Sequence, residues 1–247
     1  MIGFFSELLK KSLGGRCPKI VRIYGETLVN QVFPIPRDTL QATNQKGRRY
    51  ELIDKEEHKD VAMHHLIRRP GKLGNRFATR ILAFDKTFAA NRQTPENVTD
   101  EQIDEYKKLV REASAHELLK HEVILCTCAT SASWSTIPDL NVRQVIVDEC
   151  GMSMEPDTLI PLVNYDTVEQ VVLIGDHRQL QPIVTNAVAK DLGLQISMFE
   201  RYQERAILLN KQFRMVRSMC QRIVGTPSVV HISNHANCSY LYYRQSN

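Results

Sequence analysis

Residues 142–151 read VRQVIVDECG. Three residues that favour extended backbone, Val145, Ile146 and Val147, lead directly into two adjacent carboxylates, Asp148 and Glu149. A solvated acidic face needs no apolar run before it. A metal–nucleotide site at the end of a central strand does, because ligands of open α/β sheets sit at the carboxyl ends of the strands. The chain holds two other Asp-Glu pairs, Asp100-Glu101 and Asp104-Glu105, but both fall at the expected start of a helix, where acids favour the helix dipole. Only the pair at 148–149 follows an apolar run.

Three further runs have the same character: KIVRIYG (19–25), EVILCTCA (122–129) and QVVLIGD (170–176). Near-continuous Val, Ile and Leu without strict alternation predicts strands buried on both faces, in a parallel sheet covered by helices. The segment between residues 149 and 170 is long enough for a crossover helix, so the fold class is α/β. Between the first two runs lies a long polar insertion, about residues 37–120. Its first part, TLQATNQKGRRYELIDKEEHKD (39–60), is poorly patterned and reads as loop with short helices. Its last part is better defined. Thr99 and Gln102 stand at capping-box spacing, and Ile103, Tyr106, Val110 and Ala113 then share one helical face. A second capping box, Ser197 to Glu200, starts a helix over MFERY (198–202). Residues 228–247, SVVHISNHANCSYLYYRQSN, show no defined element.

The 247 residues suffice for one large domain or two small ones, with 43% hydrophobic and 24% charged residues, as in ordinary globular proteins. A net charge of +4 identifies no partner, but its distribution is uneven. Residues 1–80 hold 16 Lys/Arg against 8 Asp/Glu, which suits a polyanion-binding face as well as a plain solvated surface. Arg68, Arg69 and Lys72 in RRPGKLGNR (68–76) are candidate phosphate contacts. The six cysteines make no zinc pattern, because Cys126 and Cys128 are one residue apart and no second pair follows at finger spacing. Cys126 and Cys128 read instead as small buried hydrophobes of the run VILCTCA, and with no secretory signal a reduced compartment, cytoplasmic or nuclear, is expected. The N-terminal MIGFFSELLKK carries Glu7 and lacks a basic start, so it reads as an amphipathic helix. No stretch approaches the roughly 20 apolar residues that span a bilayer. His64-His65 has no third ligand at metal-binding spacing and reads as a solvated pair. Trp134 is either half-buried or a stacking platform for a base.

The strand ends carry the chemistry. One carboxylate of a pair can hold Mg²⁺, with waters and phosphate oxygens completing its shell, while its neighbour deprotonates the attacking water. The run 170–176 ends in Gly175-Asp176-His177-Arg178-Gln179, where the Gln179 amide can both donate to a phosphate and accept from water. A further apolar stretch, AILLN (206–210), leads into Lys211-Gln212-Phe213-Arg214, and a planar guanidinium suits a phosphoryl group in transfer.

VDECGMSMEP (147–156), LIGDHRQLQPIV (173–184) and LNKQFRM (209–215) resemble motifs II, III and IV of superfamily 1 helicases. The group resembled is the one that contains the nonsense-transcript regulator and the helicases with a zinc finger domain. VILCTCATSAS (123–133) is similar to the strand and loop before motif II there, and RIYGE with FPIP (22–26 and 33–36) to the stretch that follows motif Ia. The resemblance covers roughly residues 1–36 and 118–215. It implies a RecA-like parallel sheet of the P-loop NTPase class and ATP-dependent unwinding or translocation on nucleic acid, RNA favoured over DNA. By position it implies that Asp148 holds Mg²⁺ and that Glu149 is the general base. It implies that Gln179 senses the γ-phosphate, Asp176 supports that loop, and Arg214 contacts the γ-phosphate. Thr127, Ser131 and Ser133 would lie near the nucleic-acid backbone.

The departures are as informative. No Gly-x-x-x-x-Gly-Lys-[Ser/Thr] occurs, since Gly71-Lys72 is followed by Leu73 and lacks a glycine at 66. Cys150 stands where the family usually has Ala, and Val216-Arg217 where it tends to have His-Pro. The expected organisation is therefore an N-terminal part of a RecA-like domain (1–36), a basic insertion (37–120), a RecA-like core with the three motifs (121–215) and a divergent tail (216–247). Taken whole, it looks like an internal piece of a helicase, needing ATP, Mg²⁺ and further helicase domains for activity. The reading that competes is a non-catalytic nucleic-acid or protein-binding remnant.

Overall fold

A computed structural model describes residues 18–37, 58–71, 75–176, 179–209 and 240–244. The chain divides into two compact units, residues 1–140 and 141–247.

In the first unit, β1 (Ile20–Arg22) precedes α1 (Glu26–Val32), α2 (Met63–Leu66), α3 (Ala78–Ala90), α4 (Asp100–Leu118), β2 (Val123–Leu125) and α5 (Cys128–Ser131). β1 and β2 pair in parallel, with Val21 opposite Ile124. The stretch expected as a polar insertion supplies much of this unit's core. Residues 58–67 run beside β1, whose Arg22 N–H donates to the Val61 carbonyl at 2.7 Å. Helix α4 starts where the sequence predicts. Thr99 Oγ1 accepts from the Gln102 N–H at 3.3 Å, and Gln102 Oε1 accepts from the Thr99 N–H at 3.0 Å. Its buried residues Ile103, Tyr106 and Ala113 pack with Ile81 and Phe88 of α3 and with Val21 and Ile23 of the β1 segment. Val110 is half-buried against that cluster. Trp134 also packs against it and is half-buried, as one of the two sequence readings has it.

Arg68 corrects an expectation. Its residue is 7% exposed, so its charge lies in the core of the insertion and is not offered to a phosphate. The Asp85 carboxylate takes it at both oxygens, at 2.8 and 3.2 Å. Two further N–H groups donate to the Tyr106 hydroxyl at 2.7 Å and the His64 carbonyl at 2.6 Å. The guanidinium also lies over the Phe33 ring, 3.5 Å from its centroid. A buried cation persists because four hydrogen bonds and an aromatic face compensate its lost hydration. His64 is buried too, against the expectation of a solvated pair, with its ring 4.4 Å from that of His65. Burial pushes its pKa down to about 3, so it is neutral at physiological pH.

In the second unit, β3 (Gln144–Val147), α6 (Glu155–Val163), β4 (Gln170–Gly175), α7 (Ala187–Asp191), α8 (Met198–Arg201) and β5 (Ile207–Leu209) are followed by β6 (Tyr240–Arg244). β3 and β4 form the predicted parallel pair, with Val147 opposite Leu173. At the other end, Arg143 grips Glu169 at 2.7 and 3.1 Å, and the Gln144 amide donates to Gln170 at 3.0 Å. Ser197 caps α8 by accepting from the Glu200 N–H. The sheet is not purely parallel. β6 inserts antiparallel between β4 and β5, in a region where the sequence shows no element. Tyr240-Leu241-Tyr242-Tyr243 has high strand propensity but no apolar periodicity to reveal it.

Arg68→Ala is expected to destabilise the protein by about 2–3 kcal/mol, because the half-buried Asp85 loses its countercharge and keeps only the Tyr106 hydroxyl. Arg69→Ala, on the exposed partner of Asp60, should cost no more than about 1 kcal/mol. Urea unfolding followed by the fluorescence of Trp134, the single tryptophan, measures both. Equal costs for the two would contradict the buried network.

Candidate functional site

β3 and β4 run parallel, so both deliver their carboxyl ends to the same edge of the sheet. At that edge β3 ends in Asp148 and Glu149, both exposed. Asp148 Oδ1 accepts the Glu149 N–H at 3.0 Å, which orients the carboxylate along the turn. Glu149 itself has φ 55° and ψ 33°, a left-handed conformation rare for a residue with a Cβ. A short 3₁₀ turn, Cys150–Met152, follows immediately. Cys150 is fully buried with its Sγ 3.9 Å from Thr158 Oγ1, so a small residue is what the packing accepts there.

β4 ends at Gly175, and Asp176 follows, half-buried. Gln179 Nε2 donates to Asp176 Oδ2 at 3.1 Å, and the Gln179 N–H to the Asp176 carbonyl at 3.3 Å. The first bond commits one amide hydrogen to Asp176 and leaves the amide oxygen as an acceptor. The turn after β3 and the exit of β4 touch directly. A Cβ placed on Gly151 would lie 2.8 Å from the Asp176 carbonyl oxygen, and one on Gly175 would lie 2.8 Å from the Gly151 nitrogen.

The donor set suits a hard cation. Among the described residues no three His, Cys, Asp or Glu side chains gather to hold a metal by protein ligands alone. An exposed aspartate that contributes one carboxylate and leaves the other positions to water and phosphate oxygens is what Mg²⁺ takes.

In the first unit, the loop after β2 shows what became of the three hydroxyl residues. Thr127 is exposed, and its Oγ1 accepts the Thr130 N–H at 3.2 Å as the cap of α5. Ser133 is exposed. Ser131 is buried and donates to the Cys128 carbonyl at 2.6 Å, so its hydroxyl faces inward. Arg69 is exposed, paired with Asp60. Lys72 and Arg214 lie outside the described residues.

A family profile described as an AAA domain matches residues 5–187. The chain is 42% identical over 206 residues, 82% of its length, to the 3'-5' exoribonuclease HELZ2 of Homo sapiens. It is 39% identical over 113 residues, 44% of its length, to the ATP-dependent helicase NAM7 of Saccharomyces cerevisiae. The chain belongs to the superfamily 1 helicases. Within them it stands with the group of the nonsense-transcript regulator and the helicases with a zinc finger domain. Its mixed α/β fold with parallel strand pairs is that of the P-loop NTPase class. This helicase-family chain spans 7% of the length of human HELZ2 and 11% of that of NAM7. Among its described residues, no helix is long and apolar enough to cross a membrane.

Sequence reasoning named the acidic pair and Gln179 but missed Gly151 and the left-handed turn at Glu149. Nothing in the local pattern signals either. A left-handed glutamate is strained by about 1–2 kcal/mol. Glu149→Gly is therefore expected to be more stable than Glu149→Ala by about 1 kcal/mol, the reverse of the order in ordinary backbone. Urea denaturation followed by circular dichroism compares them. An alanine variant at least as stable as the glycine one would refute the turn.

Proposed function

We propose that this helicase-family chain takes part in ATP-dependent unwinding of, or translocation on, nucleic acid, with RNA as the preferred substrate. The supporting observation is the shared edge of β3 and β4, where Asp148, Glu149, Asp176 and Gln179 come together on touching backbones. The relatives point to RNA by their names: an exoribonuclease, regulators of nonsense transcripts, and a probable RNA helicase of Drosophila melanogaster.

Asp148 would hold Mg²⁺ through one carboxylate oxygen. The ion, when bound, neutralises charge on the phosphate oxygens. Glu149 accepts the proton of the attacking water. Its exposed carboxylate sits at the tip of the turn, where no neighbouring side chain has to move for water to reach it. Gln179, held by Asp176, turns its amide oxygen to accept from the same water and so orients it. Arg214 is assigned to the transferring phosphoryl charge by its place in the motif. On the nucleic-acid side, Thr127 and Ser133 offer exposed hydroxyls to phosphate oxygens, and Arg69 and Lys72 contribute charge. Arg68 and Ser131 have no part in this, since both are turned into the core.

A binding remnant without catalysis is the second reading. It is favoured by the lack of any Gly-x-x-x-x-Gly-Lys-[Ser/Thr] in these 247 residues. Without that loop nothing grips the β- and γ-phosphates, and positioning is most of what such catalysis consists of. Phosphate release from ATP by this chain, with or without RNA, is therefore expected to equal that of its Glu149→Gln variant. Within a longer chain that supplies the phosphate-gripping loop and the further helicase domains, ATP should be turned over, and Glu149→Gln should then abolish turnover while ATP still binds. Turnover that survives the substitution would remove Glu149 as the base.

Fluorescence anisotropy tests the nucleic-acid half. A single-stranded oligoribonucleotide should bind weakly, more tightly than the matching oligodeoxyribonucleotide, and with steep salt dependence. Replacing Thr127 and Ser133 together by Ala should weaken binding by roughly thirtyfold, since two hydrogen bonds at about 1 kcal/mol each are lost. Neutralising Arg69 and Lys72 should lower the salt slope by up to about two. An unchanged affinity and slope would move the binding surface elsewhere.

A further inference from the structure

Gly151 and Gly175 belong to different loops yet meet backbone to backbone. Neither has the positive φ that usually explains a glycine; Gly71 and Gly193 do. What the pair requires is space. A Cβ on Gly151 would sit 2.8 Å from the Asp176 oxygen and 3.1 Å from its carbonyl carbon. A Cβ on Gly175 would sit 2.8 Å from the Gly151 nitrogen and 3.2 Å from the Cys150 nitrogen. Every atom met is backbone, so no side chain can swing aside. Ordinary contact begins at 3.4 Å, so either substitution drives the two loops apart by about 0.6 Å.

The parting would fall at a sensitive place. On one side of the contact are Asp148 and the left-handed Glu149, within three residues of Gly151. On the other is Asp176, bonded to Gln179 and adjacent to Gly175. The strands cannot take up the movement. Their pairing is in register to Val147–Leu173 and is clamped at its start by Arg143–Glu169. The whole displacement is left to the two loops that carry the polar groups. Reactions governed by positioning lose about 100-fold in rate for a displacement near 1 Å.

We infer that Gly151 and Gly175 are positioning residues, whose bare contact sets the distance between the Asp148–Glu149 turn and the Asp176–Gln179 loop. The inference rests on the proposed reading of that edge as the metal and water site. Neither glycine touches metal, nucleotide or water; they act through the loops they join.

NMR spectroscopy of the isotope-labelled 247-residue chain, with Mn²⁺ alone as the probe, separates the inference from the reading beneath it. In the unsubstituted protein, an α-hydrogen of Gly175 should show nuclear Overhauser contacts to the amide hydrogens of Gly151 and Cys150. Their absence would overturn the contact, and the positioning role with it, without recourse to any variant. Substoichiometric Mn²⁺ should broaden the amides of Asp148 and Glu149 and, with them, those of Asp176 and Gln179. Asp148→Asn should abolish both effects. If it does not, the metal reading falls, and the positioning role with it. Gly151→Ala or Gly175→Ala should keep the broadening at Asp148–Glu149 but reduce it at Asp176–Gln179. Gly71→Ala, strained by its φ of 110° but open to space, serves as the control that destabilises without parting the loops. A constant ratio between the two sets in both alanine variants, with Asp148→Asn still effective, would overturn the glycine role and leave the metal reading standing.

Discussion

The parallel pairing of β3 with β4 is the constraint on which the candidate site depends. Two strands that run the same way must present their carboxyl ends at one edge, and the register Val147–Leu173 brings those ends level. The pair is held at both extremities by different means. At its start, side chains do the holding, through Arg143 with Glu169 and Gln144 with Gln170. At its end, the absence of side chains does it, because Gly151 and Gly175 let the two backbones touch. An exposed ion pair alone adds little stability. Its value here is to oppose sliding, since one step of slippage would turn every side chain of the strand to the other face.

The same edge illustrates how local strain accompanies a functional arrangement. Asp148 takes the Glu149 N–H, and Glu149 accepts a left-handed backbone that asparagine or glycine would adopt at less cost. The carboxylate stands at the tip of a turn rather than continuing the strand. The surroundings hold the turn in place. Cys150 is buried just beyond it, and the 3₁₀ turn that follows lies over the end of β4.

The first unit is organised around a different solution. Its long segment between β1 and β2 is polar in composition, yet it builds the core. Helices α3 and α4 bring Ile81, Phe88, Ile103, Tyr106 and Ala113 onto the residues of β1. Arg68 is the polar centre of this packing, satisfied by Asp85, Tyr106 and the His64 carbonyl. An arginine in a basic cluster of sequence thus becomes a structural residue, whereas its neighbour Arg69 stays at the surface.

The α/β class, the four apolar strands, the parallel course of β3 and β4, the capping box at Thr99 and the acidic pair at a strand end are legible in the sequence, whereas the four strands lie in two separate sheets rather than in the single one expected. Each legible feature is written in a local signal: an apolar run, a spacing of three residues, two charges after a hydrophobic stretch. The motifs of the helicase family are contiguous in the same sense, so the resemblance was visible without coordinates. The remainder depends on contacts between segments distant in the chain. Whether an arginine or a serine faces solvent depends on what the fold sets against it, and neither Arg68 nor Ser131 differs in local pattern from Arg69 or Ser133. The strand at Tyr240–Arg244 is defined by its neighbours β4 and β5, which are distant in sequence. The contact between Gly151 and Gly175 exists only because two loops more than twenty residues apart close on each other. A glycine states that space is allowed; only the folded chain shows that the space is filled by another backbone.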